Sequence, residues 1–321
     1  MLLKPVIDPA GEHRLAGGWL RFSVFEDMEG KPHPAADVPA ETLHAFTRPR
    51  APICGFDGTR PVVMGILNLT PDSFSDGGRL TDFAKVQAAA HPSADLLDIG
   101  GESTRPGAEE VSIDEEIART APVIKALREA GETRPISIDT RKAAVAEAAF
   151  EAGADLFNDV SAFTFDPASP AVAAKFDVPV CLMHAQGLPE TMQNNPRYGD
   201  VLSEVYTALQ NAVKAAEAAG IAREKIIVDP GIGFGKTLEH NLILLRNLSV
   251  FHGLGCMILL GASRKRFIEA ATGATDPMQR LGGSLAAALR GADQGVQFIR
   301  AHDMAETKQA LQIDSAIHGY E

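Results

Sequence analysis

Eight short apolar runs of this chain each stop at a side chain able to do chemistry. VVMGIL ends at Asn68, LL at Asp98, ISI at Asp139 and LF at Asn158-Asp159. VPVCLM leads to His184, IIV to Asp229, MILLGA to Ser263 and VQFI to Arg300-Ala301-His302. Gathered at one place, these groups would make a pocket of mixed charge. Asp139, Asn158 and Asp229 are three acceptors that, brought together, need N–H donors. A flat ligand with an amidine-like or guanidine-like edge would supply two parallel N–H bonds to a carboxylate. A pterin or guanine ring has such an edge; an aminopyrimidine or a metal ion would also suit these acceptors.

The cationic residues suggest a second ligand part. Arg300 and His302, two apart, share one side of their strand. With Ser263 and Lys265 of GASRKRF (261–267), they suit a phosphate or diphosphate. The glycines of DPGIGFGKT (229–237) do not form a phosphate loop, because Pro230 stands where its first glycine is required. Lys236 likewise occupies the third glycine position of a dinucleotide fingerprint. The loop is read instead as backbone approaching a flat ligand beside Phe234. His184 is a lone histidine at a strand end, which favours a satisfied structural role. Zinc-hydrolase and serine-hydrolase motifs are not found. The stretches after Asn68 (LTPDSFSDGG) and Asp98 (IGGESTRPGAEE) exceed the usual two to six residues of a strand-to-helix loop. Both are candidate active-site lids.

Strands buried on both faces read as continuous apolar runs, and eight of them with helices between predict a (β/α)8 barrel over 61–321. In that fold all strand ends meet at one mouth. Ser112 with Glu115 signals a capping box for a helix over 112–131, and Gly220 stops another over 198–220. Segments 141–153, 240–248, 279–291 and 304–319 fill further helical slots. Residues 1–60 fall outside the repeat. The stretch 18–28 predicts a strand or hairpin arm that covers the N-terminal end of the barrel, and 29–60, with five prolines, an extended linker. The formal net charge of −12 argues against nucleic acid or an anionic membrane as partner. Three scattered cysteines and a start without a secretory core predict a reducing cytoplasm.

Taken in order, MGILNLTPDSFSDGG (64–78), LLDIGGESTRPGA (96–108), SIDTRK (137–142), FNDVSA (157–162), DPGIGFGK (229–236), GASRK (261–265) and IRAHD (299–303) resemble dihydropteroate synthase. CLMHAQG (181–187) and TMQ (191–193) add to the likeness. The resemblance implies a TIM-barrel homodimer that joins 4-aminobenzoate to a dihydropterin diphosphate, and that is inhibited by sulfonamides. By position it implies that Asp139, Asn158, Met183, Asp229 and Lys265 hold the pterin. It assigns Asp98, Thr104, Arg300 and His302 to the diphosphate, with Asn68 binding Mg²⁺. Phe74, Arg105, Phe234 and Ser263 shape the aminobenzoate site, and Asp76 faces the reacting carbon. Asp76, Asp139, Lys265 and Arg300 are the implied catalytic group. A pterin-dependent methyltransferase would need neither Ser103-Thr104-Arg105 nor Arg300 with His302. A silent pterin-binding paralogue should have lost loop residues that this chain keeps.

Overall fold

The structure, a computed structural model, describes residues 1–69, 86, 90–103, 110–187, 192–193 and 195–319. Phe74, Asp76, Thr104 and Arg105 lie outside the described residues. The chain begins with a small antiparallel sheet in which β3 (Arg21–Asp27) pairs with β1 (Leu3–Ile7), β2 (His13–Arg14) and β4 (Pro32–Pro34). The stretch expected as an extended linker contains a helix, α1 (Ala40–Thr47). Its eight residues run free of proline between Pro39 and Pro49, and Phe46 gives them an apolar anchor. The Phe46 ring meets Phe25 edge-on at 4.9 Å, and Phe25 meets Phe22 at the same distance.

Eight parallel strands then close a barrel in sequence order. They are β5 (Val62–Asn68), β6 (Leu96–Gly100), β7 (Ile136–Asp139), β8 (Leu156–Asp159), β9 (Val180–Met183), β10 (Ile226–Asp229), β11 (Met257–Gly261) and β12 (Phe298–Ala301). β12 returns to pair with β5, so no edge is left open. Described helices pack outside: α2 (Ile113–Glu129), α3 (Ala143–Glu151), α4 (Ser169–Phe176), α5 (Val201–Ala218), α6 (Leu238–Arg246), α7 (Arg266–Thr272), α8 (Leu281–Ala292) and α9 (Met304–His318). Ser112 caps α2 by accepting from Glu115 N at 3.3 Å. The reciprocal half of the expected box is replaced by an ion pair between Glu115 and Arg119. No helix among the described residues is long and apolar enough to cross a membrane.

The strand period of two explains how one barrel holds both a core and a site. Leu96, Leu156, Ile227 and Phe298 belong to one buried apolar cluster inside the barrel. Two residues further along the same strands stand Asp98, Asn158, Asp229 and Arg300. Each inward file therefore changes from apolar to polar toward the C-terminal mouth. The opposite end is closed by the N-terminal region: Ile53, Cys54 and Phe56 join the same cluster. Phe56 meets Phe298 edge-on at 6.1 Å. Trp19 Nε1 donates to Ala292 O at 3.2 Å and Arg50 donates to His252 O at 3.0 Å, fixing the region to the barrel wall.

Candidate active site

Strand register sets the floor of the mouth. Asp139 pairs with Gly100 on one side and Asn158 on the other, Asp229 pairs with Met183, and Arg300 pairs with Gly261. Glycine at 261 leaves the middle open: a Cβ built there would lie 3.7 Å from both Asp229 Oδ2 and Lys265 Nζ. A cavity of about 470 Å³ opens above, lined among others by Asn68, Asp139, Phe234, Lys265, Arg300 and His302.

Arg300 organises this floor. Its Nε donates to Asp98 Oδ2 at 2.6 Å and its terminal nitrogen to Asp139 Oδ2 at 2.7 Å. Asn158 Nδ2 donates to both oxygens of Asp98 at 3.3 Å. The acceptors thus have a cation at their centre, and Asn158 acts here as a donor. Asp98 is fully buried, so any bearing it has on an anionic ligand passes through Arg300. Burial pushes the Asp139 carboxyl up to about 7, against the pull of Arg300 and with help from Asp98. Its Oδ1 is buried without a hydrogen-bond partner among the described residues. The two carboxylates hold the Arg300 guanidinium firmly charged although burial acts the other way.

Burial also raises Asp229, opposed by Lys265, while Asp229 Oδ1 accepts from Gly231 N at 2.7 Å. Lys265 Nζ donates to Ile232 O at 2.5 Å and stands 4.4 Å from the centre of the Phe234 ring. Burial lowers Lys265 to about 8, with Asp229 working against it. On the next rim, Ser263 Oγ accepts from His302 N at 3.2 Å and lies 3.1 Å from His302 Nδ1. Neighbouring Arg264, at φ +57°, turns away to pair with Asp303. Met183 is buried beside the glycine loop, where a Cβ on Gly231 would meet its Cγ at 3.3 Å.

Lys236 is the residue that sequence reasoning leaves without a role. Its buried Nζ reaches Gly231 O at 2.9 Å, Phe234 O at 3.0 Å, His184 O at 3.2 Å and His184 Nδ1 at 3.0 Å. It staples the glycine loop to the end of β9. Burial holds His184 down to about 3, aided by Lys236, so the histidine is a neutral acceptor. That is the structural role its isolation suggests. The signal for Lys236 was its position: a lysine among strand-end glycines that make no phosphate motif.

The chain matches the profile of the family described as pterin binding enzyme over residues 64–302. It is 46% identical over 267 residues to the dihydropteroate synthase of Synechocystis, covering 81% of this chain and 91% of that protein. Among solved structures it resembles Yersinia pestis dihydropteroate synthase with a sulfonamide drug complex, at TM-score 0.78 and 44% identity over 84% of this chain and 99% of that one. The Xanthomonas albilineans dihydropteroate synthase with 4-aminobenzoic acid gives TM-score 0.78 and 44% identity, over 85% of this chain and 99% of the other.

Proposed function

The chain belongs to the pterin-binding enzymes, among the dihydropteroate synthases, and from that premise we propose how its own residues carry the reaction. The substrates are (7,8-dihydropterin-6-yl)methyl diphosphate and 4-aminobenzoate. The methylene C–O bond breaks, its electron pair leaving with the diphosphate. The arylamine nitrogen then forms the C–N bond and gives up one proton. An arylamine is neutral at pH 7, so the site needs no strong base.

Asp139, Asn158, Asp229 and Lys265 hold the pterin ring, with Met183 packing beside it. The observation that carries this reading is Asp139 Oδ1, a buried acceptor with no protein partner among the described residues. An N–H of the ring satisfies it, removing the cost of about 1–3 kcal/mol of a buried acceptor left alone. Arg300 and His302 take the diphosphate, and the Arg300 charge with hydrogen bonds from both favours the departing anion more than the bound ester. Phe234 and Ser263 border the aminobenzoate, together with Phe74 and Arg105 of the loops. Carboxylates beside the methylene, Asp139 and by resemblance Asp76, stabilise the positive charge that develops as the C–O bond breaks.

The residues fit a magnesium ion. Asn68 brings a hard carbonyl oxygen to the rim of the cavity, and Mg²⁺ commonly takes one or two protein oxygens with substrate phosphates and water. When bound there it would neutralise diphosphate charge. Family resemblance also supports a cytoplasmic homodimer. Light scattering should then give twice the chain mass of 34.1 kDa. Calorimetric titration with 6-hydroxymethylpterin tests the ring assignment. Asp139→Asn and Asp229→Asn should each weaken binding about tenfold or more; unchanged affinity in both would contradict it.

A further inference from the structure

A second group of charges lies behind the mouth, and the reaction above does not use it. Glu102 follows β6, Glu116 is on α2, and Arg141 and Lys142 follow β7. Their side chains are 2%, 0%, 7% and 3% exposed. Lys142 Nζ lies 2.8 Å from Glu116 Oε2 and 3.3 Å from Glu102 Oε2. Arg141 reaches Glu102 Oε1 at 3.1 Å, and its guanidinium sits 4.2 Å from the centre of the Phe165 ring. The four charges cancel. Such buried clusters are poor sources of stability, since apolar replacements often do as well.

What this cluster does hold is Val111. Val111 N donates to Glu102 Oε1 at 3.1 Å, and Val111 O accepts from Lys142 Nζ at 2.5 Å. The next residue, Ser112, caps α2. At the other end, Glu102 and Ser103 both line the cavity. Glu102 and Val111, which flank segment 103–110, are therefore fastened to one cluster. Arg141 and Lys142 tie that cluster to β7, two and three residues beyond Asp139. By sequence the segment contains Thr104 and Arg105, assigned above to the diphosphate and the aminobenzoate.

We infer that Lys142, with Glu102 and Glu116, is a positioning residue for the second substrate, acting by holding Glu102 and Val111, the residues on either side of segment 103–110. The inference rests on the dihydropteroate synthase reading and deepens it. Lys142 bonds none of the pterin-holding side chains, so its effect falls on 4-aminobenzoate rather than on the ring.

Lys142→Met and the double variant Lys142→Met with Glu116→Gln separate positioning from folding. The double variant restores charge balance and should regain the parental thermal midpoint, yet Val111 O stays unheld. In both, the KM for 4-aminobenzoate should rise about tenfold or more, with affinity for 6-hydroxymethylpterin within about twofold. A KM that recovers along with the midpoint would overturn the inference, as would a parallel loss of pterin affinity. Hydrogen exchange at the Val111 amide needs no turnover and should quicken about tenfold in the double variant; unchanged exchange would also overturn it. A parent that makes no dihydropteroate would sink the functional reading, and exchange at Val111 would still judge the cluster.

Discussion

Arg300 stands between Asp98 and Asp139, so two buried carboxylates depend on one guanidinium. Burial raises Asp139 from its ordinary 3.8 to about 7. Between those values the folded protein binds more protons than the unfolded chain, so the stability tied to this group falls as pH rises through the window. Arg300 opposes that trend, and Arg300→Met removes the opposition. The variant should lose about 3–5 kcal/mol at pH 8 and clearly less at pH 5. Urea denaturation at both values checks this, and an equal deficit at both would count against it. Asp76 is assigned by resemblance to the reacting carbon. Asp76→Ala should lower kcat about a hundredfold or more while pterin affinity changes less than about threefold. Single-turnover kinetics beside titration would expose equal losses, which the assignment does not allow.

The loops after the strands show how much local sequence could reveal. A Cβ on Gly231 would lie 1.9 Å from His184 O, at φ +69°, whereas one on Gly261 meets only ordinary contacts. Gly231→Ala should therefore cost more than about 2 kcal/mol and distort the Lys236 staple. Gly261→Ala should fold with parental stability but bind pterin about tenfold more weakly, because its methyl group enters the site. Thermal unfolding with pterin titration distinguishes the two; a stable Gly231→Ala would refute the close approach. The eight strands were legible because burial on both faces writes an apolar run that stops at a functional residue. The site floor followed from those stops, Asp98, Asp139, Asn158, Asp229 and Arg300. The position of Lys236 stands out in the sequence, but its role and that of Lys142 do not, since each comes from partners that only the fold brings near: His184 for one, Glu102 and Glu116 for the other. The same holds for α1, whose Phe46 acquires a reason to be helical only against Phe25.

At the scale of the whole molecule, the N-terminal region completes the barrel at the end opposite the mouth. Phe56→Ala should lower stability by about 2 kcal/mol and leave pterin affinity within about twofold, because the floor and the plug lie at opposite ends of the strands. Chemical denaturation with pterin titration decides this, and a matching fall in affinity would mean that the two ends are coupled. Along β6, β8, β10 and β12 the barrel thus divides its labour, apolar below for cohesion and polar above for chemistry. Product formation decides whether this mouth joins two substrates with loss of diphosphate. Purified protein is given the dihydropterin diphosphate, 4-aminobenzoate and Mg²⁺, with each omitted in turn. Dihydropteroate and diphosphate should form in equal amounts only when all three are present. Pterin binding without product, or diphosphate release independent of 4-aminobenzoate, would contradict it.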